Sequence, residues 1–234
     1  LLDLLPDLWT PKILKGKKIL ITAGATFEAI DPVRGITNIS SGKMGVALAR
    51  ACRVAGAEVS LIHGQLQTAL PFGISDTVQA VSAEDMHRAV HRLIDKQDAF
   101  ISVAAVSDYR VKNRSTQKFK KDKNANPLSI ELDENPDILA SIASLPNPPF
   151  CIGFAAETEN VLAYAREKRI RKRLPMIVAN DVSIAMGKTT NQIVIIDDDA
   201  ELSFPETSKD EAAMRIVERL AVCLNKYGTD EGSY

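Results

Sequence analysis

The sequence predicts a doubly wound α/β domain on a mostly parallel sheet, with a small hairpin extension near its C-terminal end. Three observations predict it. Short apolar, β-branched runs alternate with stretches of helical periodicity along nearly the whole chain. Lys18–Ala23 is an apolar run closed by Gly24, which reads as a strand buried on both faces. A helical stretch separates it from a second strand at Glu58–His63, and strands joined through a helix run parallel.

The elements follow in order. After the first strand, Ala25–Ser41 is polar, holds Gly and Asp, and reads as a long loop. Gly42–Ala55 places Met44, Leu48, Ala51 and Val54 at helical spacing and stops at Gly56. Beyond Glu58–His63, Thr77–Val81 suits a strand, Ala83–Lys96 a helix and Ala99–Ala104 a strand. Val106–Asn126 is polar and lysine-rich, and is expected to be a loop or flap, with a strand at Leu128–Leu132 after it. Pro136–Ser144 reads as a helix with Pro in its first turn, Phe150–Ala155 as a strand, Val161–Arg173 as a helix and Met176–Ala179 as a strand. Gln192–Ile196 and Glu201–Phe204 flank Asp197-Asp198-Asp199 as a hairpin. Lys209–Asn225 is amphipathic, with Ala213, Ile216, Val217, Leu220 and Leu224 on one face. A sheet of this Rossmann-like kind binds ligands in a crevice at the carboxyl ends of its strands.

The chain has 234 residues, 45% of them hydrophobic, which suits one large domain. We expect residues 1–15 to be a linker from a preceding domain, 16–227 the domain itself and 228–234 a tail. Formal net charge is -1, from 29 basic and 30 acidic residues, so no global field favours nucleic acid or an acidic membrane. No apolar run is long enough to span a bilayer. Cys52, Cys151 and Cys223 are scattered and odd in number, which favours reduced thiols in the cytoplasm over a disulfide framework or zinc site.

Two nucleotide motifs fail. A P-loop ending at Gly42-Lys43 needs Gly where Thr37 stands and Ser or Thr where Met44 stands. A dinucleotide fingerprint needs a tight glycine turn, whereas the loop from Gly24 to Gly42 and Gly45 is long, and the second strand ends in His63 rather than an acid. What remains is a long loop that feeds a helix N-terminus, suited to a phosphate or an oxyanion, or simply capped by Ser40 or Ser41.

That loop, Thr22-Ala23-Gly24-Ala25-Thr26 through Asp31-Pro32-Val33-Arg34 to Asn38-Ile39-Ser40-Ser41-Gly42-Lys43-Met44-Gly45, resembles the signature of bacterial phosphopantothenate–cysteine ligase. It departs from the family at Ala25 (usually Pro), Phe27 (usually Arg) and Gly35 (usually aromatic). Later stretches match in order: Ala104-Ala105-Val106-Ser107-Asp108-Tyr109, Lys118-Phe119-Lys120-Lys121, Asn135-Pro136-Asp137-Ile138-Leu139, Gly153-Phe154-Ala155-Ala156-Glu157-Thr158 and Asn180-Asp181-Val182. The likeness runs from about Lys12 to about Tyr227.

The resemblance implies a two-step ligation. The carboxylate of 4′-phosphopantothenate attacks the α-phosphate of CTP and expels pyrophosphate, and the amine of cysteine then displaces CMP. It implies Mg²⁺, a homodimer and fusion to an N-terminal flavin-dependent decarboxylase. By resemblance, Lys118 contacts the triphosphate, although the residues alone favour a solvated charge run over Lys118–Lys123. Lys168 and Lys172 share a helical face, where like charges repel unless an anion intervenes, and the resemblance places both on CTP. Asp108 is placed on ribose or Mg²⁺, with turn capping as the alternative. Ser102, Val103 and Ala104 would meet the nucleotide through backbone, and Pro136, Asp137, Ile138, Leu139 and Phe154 would line its site, Phe154 near the base. Asn38, Arg34 and Ala105 fall to the substrate side: Asn38 as oxyanion donor or Asx turn, Arg34 on the phosphopantothenate phosphate. His63, His87 and His91 show no partner pattern. An NAD(P)-dependent oxidoreductase on a similar fold is the alternative; Tyr164 and Lys168 have the spacing of its proton-transfer pair but lack an upstream Ser placed by any motif. A catalytically inert assembly domain is another.

Overall fold

The computed structural model describes residues 8–120, 129–157, 159–181 and 190–230. The expected linker and the expected tail therefore lie partly outside the described residues, and Lys121, Thr158 and Val182 lie outside them.

An eight-stranded sheet forms the centre. Its parallel part comprises β1 (Lys18–Ala23), β4 (Glu58–His63), β5 (Asp76–Gln79), β6 (Ala99–Ser102), β9 (Phe150–Glu157) and β10 (Met176–Asp181). β12 (Ile193–Asp197) and β13 (Glu201–Ser203) join it antiparallel, giving the order β13-β12-β10-β9-β6-β1-β4-β5. The expected hairpin thus exists, and it extends the main sheet at one edge.

Successive β1 side chains point to opposite faces, and each face has its own core. Ile19, Ile21 and Ala23 meet Leu48, Ala49 and Cys52 of α1 (Lys43–Val54) and Ile216, Val217 and Leu220 of α5 (Lys209–Asp230). Leu20 meets Met86 and Val90 of α2 (Ala83–Leu93), Ile138, Leu139 and Ile142 of α3 (Ile138–Ala143) and Ala165 of α4 (Val161–Arg171). Both β1 faces are covered, which is why its sequence is an apolar run. Local chemistry fixes the helix starts. Ser82 and Asp85 form a capping box on α2, and Asp137 caps α3 by accepting from the Ala140 amide at 3.0 Å.

Two expected loops contain structure. Ala25–Ser41 folds into a hairpin, β2 (Phe27–Ala29) against β3 (Gly35–Thr37), and Tyr109–Val111 (β7) pairs with Leu132–Glu134 (β8). These strands are three residues long and lie off the main sheet, so they are too short to print an alternating pattern. Of the strand expected at Leu128–Leu132, Leu128 lies outside the described residues, and among the others only Leu132 is in a strand. A last small ladder joins β11 (Thr190–Asn191) to β14 (Thr207–Ser208), just before α5.

Candidate functional site

A cavity of about 770 Å³ opens at the carboxyl ends of the central strands. Neighbouring strands β1, β6 and β9 run parallel, so their following loops converge on one end of the sheet. Asn38–Gly45 forms one wall, Ser102–Tyr109 the floor, and Glu134–Leu139 with Phe154 and Ala156 another wall. Lys168, Lys172, Asn180, Asn191 and Lys209 complete the lining.

The α1 end is shaped by glycine. Gly42 is the N-cap in the left-handed region at φ 70°, and no side chain caps the helix. Ser40 Oγ instead accepts from the Gly42 amide at 3.3 Å, so neither serine caps α1. Three residues on, a Cβ at Gly45 would lie 2.5 Å from Ala23 Cβ, so only glycine lets the first turn approach β1 this closely. The residues of this uncapped first turn line the cavity, at the end of the helix that carries partial positive charge.

A hydrogen-bonded chain sets the floor. Asn38 Nδ2 donates to the Val106 carbonyl at 3.0 Å, and Thr37 Oγ1 donates to the Thr26 carbonyl at 2.6 Å. Thr26 Oγ1 accepts from the Ser107 amide at 2.9 Å. Asn135 Nδ2 donates to the Ser107 carbonyl at 2.9 Å, and its amide donates to the Asp108 carbonyl at 2.8 Å. The loop after β6 is thus held from the hairpin on one side and from the start of α3 on the other.

The α4 lysines share a face, and each has its own oxygen. Lys168 Nζ donates to the Phe154 carbonyl at 2.7 Å, and Lys172 Nζ pairs with Asp137 Oδ2 at 2.6 Å. Burial pushes the Asp137 carboxyl up, but the hydrogen bonds from Lys172 and the Ala140 amide outweigh it, and the group sits below its usual pKa.

Of the residues singled out in the sequence, the cavity gathers Asn38, Ser102, Val103, Ala104, Ala105, Asp108, Pro136, Asp137, Ile138, Leu139, Phe154, Lys168 and Lys172. Arg34 and Lys118 lie outside its lining. The Arg34 guanidinium donates to Asp31 Oδ2 through Nε at 3.1 Å and Nη2 at 2.6 Å, and also to the Phe119 carbonyl at 3.1 Å. Burial pushes the Asp31 carboxyl up, yet Arg34 and the amides of Val33, Phe119 and Arg34 together hold it well below the usual range. Lys118 is exposed beside Phe119, whose amide also donates to Asp31, at 3.2 Å.

The sequence offered no role for Lys43, Glu134, Asn180, Asn191 or Lys209, all of which line the cavity. Lys43 and Asn180 at least fell within matching motifs, whereas Asn191 and Lys209 carried no local signal. Tyr164 does not line the cavity, so the Tyr164–Lys168 pair expected of an oxidoreductase does not form there. His87 and His91 stack at 4.3 Å on α2, and His91 Nε2 meets Ser141 Oγ on α3 at 2.9 Å, away from the lining.

Among the described residues no cluster of three or more His, Cys, Asp or Glu forms a metal cage. The donors fit an ion carried mainly by phosphate and water, for which Asp108 offers one exposed carboxylate at the cavity. All three thiols are free and buried, and burial pushes Cys52 and Cys151 up to about 12. Among the described residues no helix is long and apolar enough to cross a membrane.

Residues 14–223 match the family described as DNA/pantothenate metabolism flavoprotein C-terminal domain. The coenzyme A biosynthesis bifunctional protein CoaBC of Vibrio cholerae is 46% identical over 215 residues, which cover 90% of this chain and 54% of that protein. The CoaBC of Thermococcus kodakarensis is 38% identical over 220 residues, 92% of this chain and 53% of its own. The chain thus spans about half the length of these curated relatives. Among solved structures, the C-terminal domain of CoaBC superposes with a TM-score of 0.79 at 39% identity, covering 92% of this chain and 99% of that one. A Cab2 mutant in complex with phosphopantothenate-cysteine shares the fold, with a TM-score of 0.76 at 15% identity and coverage of 93% and 89%. The match over 14–223, with the shared fold, places this chain in the family of DNA/pantothenate metabolism flavoprotein C-terminal domains.

Proposed function

We propose that the chain is a phosphopantothenate–cysteine ligase that uses CTP. The observation that carries the reading is one cavity in which separate sequence motifs meet, lined by lysines and by the amide donor Asn38. Its relatives, which include a bifunctional coenzyme A biosynthesis protein and a structural neighbour in complex with phosphopantothenate-cysteine, support the same chemistry.

In the first step a carboxylate oxygen of phosphopantothenate bonds to the α-phosphorus of CTP, and the bond to pyrophosphate breaks. New charge gathers on phosphate, so cations must lie there. Lys168 and Lys172 border the cavity on α4, and Lys118 is assigned to the triphosphate from outside the present lining. Asp108 would hold Mg²⁺, which when bound neutralises charge at the phosphates. In the second step the cysteine amine bonds to the acyl carbon and CMP leaves. Charge now gathers on the acyl oxygen, and Asn38 is the donor suited to it. Ser102, Val103 and Ala104 offer backbone groups to the nucleotide, and Pro136–Leu139 with Phe154 offer the surface for its base and sugar. Ala105 and Arg34 are assigned to phosphopantothenate. The same proposal includes a cytoplasmic homodimer and fusion to a flavin-dependent decarboxylase, in keeping with the bifunctional relatives of about twice this length.

The test is product analysis with phosphopantothenate, cysteine, Mg²⁺ and each of the four nucleoside triphosphates. CTP should give pyrophosphate, CMP and the cysteine amide. Absence of pyrophosphate with all four would refute the ligase, and equal turnover with ATP would refute the nucleotide assignment.

A further inference from the structure

Lys43 opens α1, Lys209 opens α5, and both line the cavity. Each cation sits at a helix N-terminus, where the backbone already presents positive charge. The two also repel one another: burial first, then the charge on Lys43, lower the Lys209 pKa. Asp210, the acid beside Lys209, pairs with Arg50 at 2.8 Å.

Asn191 stands next to this pair. It faces Thr207 across the β11–β14 ladder, two residues before Lys209. Its side chain lines the cavity at 2% exposure, yet its Oδ1 has no hydrogen-bond partner. A buried amide oxygen is rarely left without a donor unless a ligand supplies one.

We propose that Lys43, Lys209 and Asn191 form a phosphoryl subsite, separate from Lys168 and Lys172, for one of the two phosphorylated substrates. This rests on the ligase reading, in which a nucleoside triphosphate and a phosphate monoester must occupy one cavity. A phosphoryl group accepts from both ammonium groups and removes their repulsion. A hydroxyl of the same substrate supplies the donor that Asn191 Oδ1 lacks. Two of its three residues, Asn191 and Lys209, come from the last part of the chain.

Calorimetric titration of the whole chain with CTP, 4′-phosphopantothenate and inorganic pyrophosphate tests this in wild type, Lys209→Gln, Lys209→Arg and Lys43→Gln. Lys209→Gln should weaken one of the two substrates about tenfold, the loss of one charge-assisted contact, and leave the other unchanged. The weakened substrate identifies the source of the phosphoryl group. Lys209→Arg should keep most of the affinity, and Lys43→Gln should repeat the loss, which covers the case in which Lys209→Gln fails to fold. Wild-type affinity for both substrates in Lys209→Gln and Lys43→Gln overturns the subsite. Should wild type bind neither CTP nor phosphopantothenate, the ligase reading fails and pyrophosphate decides. Pyrophosphate binding weakened in Lys209→Gln then supports the subsite, and binding absent from wild type or unchanged in the variant overturns it.

Discussion

Asn38 spends one amide N–H on the Val106 carbonyl at 3.0 Å, and an amide nitrogen carries two. The bond fixes the side chain at the cavity wall, and the second N–H can meet an acyl oxygen. In our proposal the two chemical steps place charge at different atoms, so one substitution should separate them. Asn38→Asp keeps the size and replaces both donors with an anion. It should still release pyrophosphate from CTP, while acyl transfer to cysteine slows roughly 10²–10³-fold, typical of one oxyanion donor. The acyl-cytidylate should accumulate in the mass spectrum. Formation of the cysteine amide at the wild-type rate would reduce Asn38 to a bracket for the Val106 loop. A neighbouring residue explains one departure from the family pattern: the Ala25 amide donates to the Gln65 carbonyl at 3.1 Å, a bond that proline lacks the hydrogen to make.

At the level of elements, the hairpin β2–β3 accounts for the other two departures together. A Cβ at Gly35 would lie 2.3 Å from Phe27 Cζ and 2.7 Å from the Glu28 carbonyl. The aromatic ring at 27 therefore occupies the space that a side chain at 35 would need, so the two departures are one exchange across the hairpin. Gly35→Phe alone should destabilise the chain by about 1–3 kcal/mol through overpacking. Phe27→Arg with Gly35→Phe should recover part of that loss, because the Glu28 carbonyl still crowds position 35. Denaturant titration of the four proteins in the cycle measures the coupling. Strict additivity would show that the ring does not set the glycine. The hairpin also reaches α2, since Glu28 is buried and its Oε1 accepts from the Ala83 amide at 2.8 Å.

Across the whole molecule, depressed carboxylates sit at the joints between elements. Asp31 binds the hairpin turn, Asp137 links α3 to Lys172 at the end of α4, and Asp197 links the β12–β13 turn to Arg219 of α5. For Asp197, burial pushes the carboxyl up, and hydrogen bonds from Arg219 and the amides of Asp199 and Ala200 more than offset it. A group whose folded pKa is depressed stabilises fully above its unfolded value and loses that contribution as pH falls through the folded one. Stability should therefore hold at neutral pH and fall as pH drops below about 4, the unfolded aspartate value. Asp197→Asn should cost about 2 kcal/mol at neutral pH, because it removes the charge-assisted hydrogen bonds to the half-buried Arg219 and leaves it only the longer pair with Asp199 at 3.6 Å. Its Tm should then depend less on acid than that of wild type. Parallel acid profiles for the two proteins would mean that Asp197 is not one of the groups that set acid stability.

How much was legible in the sequence follows from where each signal resides. Every central parallel strand and the helices α1 to α5 were readable, because burial on one or both faces writes a period into neighbouring residues. Contiguous motifs marked the Asn38–Gly45 wall, the Ser102–Asp108 floor and the Pro136–Leu139 wall, which do meet at one cavity. The three-residue strands escaped, being shorter than any period, and the hairpin expected as an appendage proved to be the sheet's edge. Only the tertiary structure brought Asn191 and Lys209 to the site, since strand order, not proximity in sequence, carries the start of α5 to the start of α1. Only it showed that Arg34 pairs with Asp31 and that Lys118 lies outside the cavity lining. The sequence by itself determined the layers and the chemistry of the loops. The packing of two helices on one face of the sheet decided which distant charges share a wall, because such contacts depend on topology and leave no local pattern.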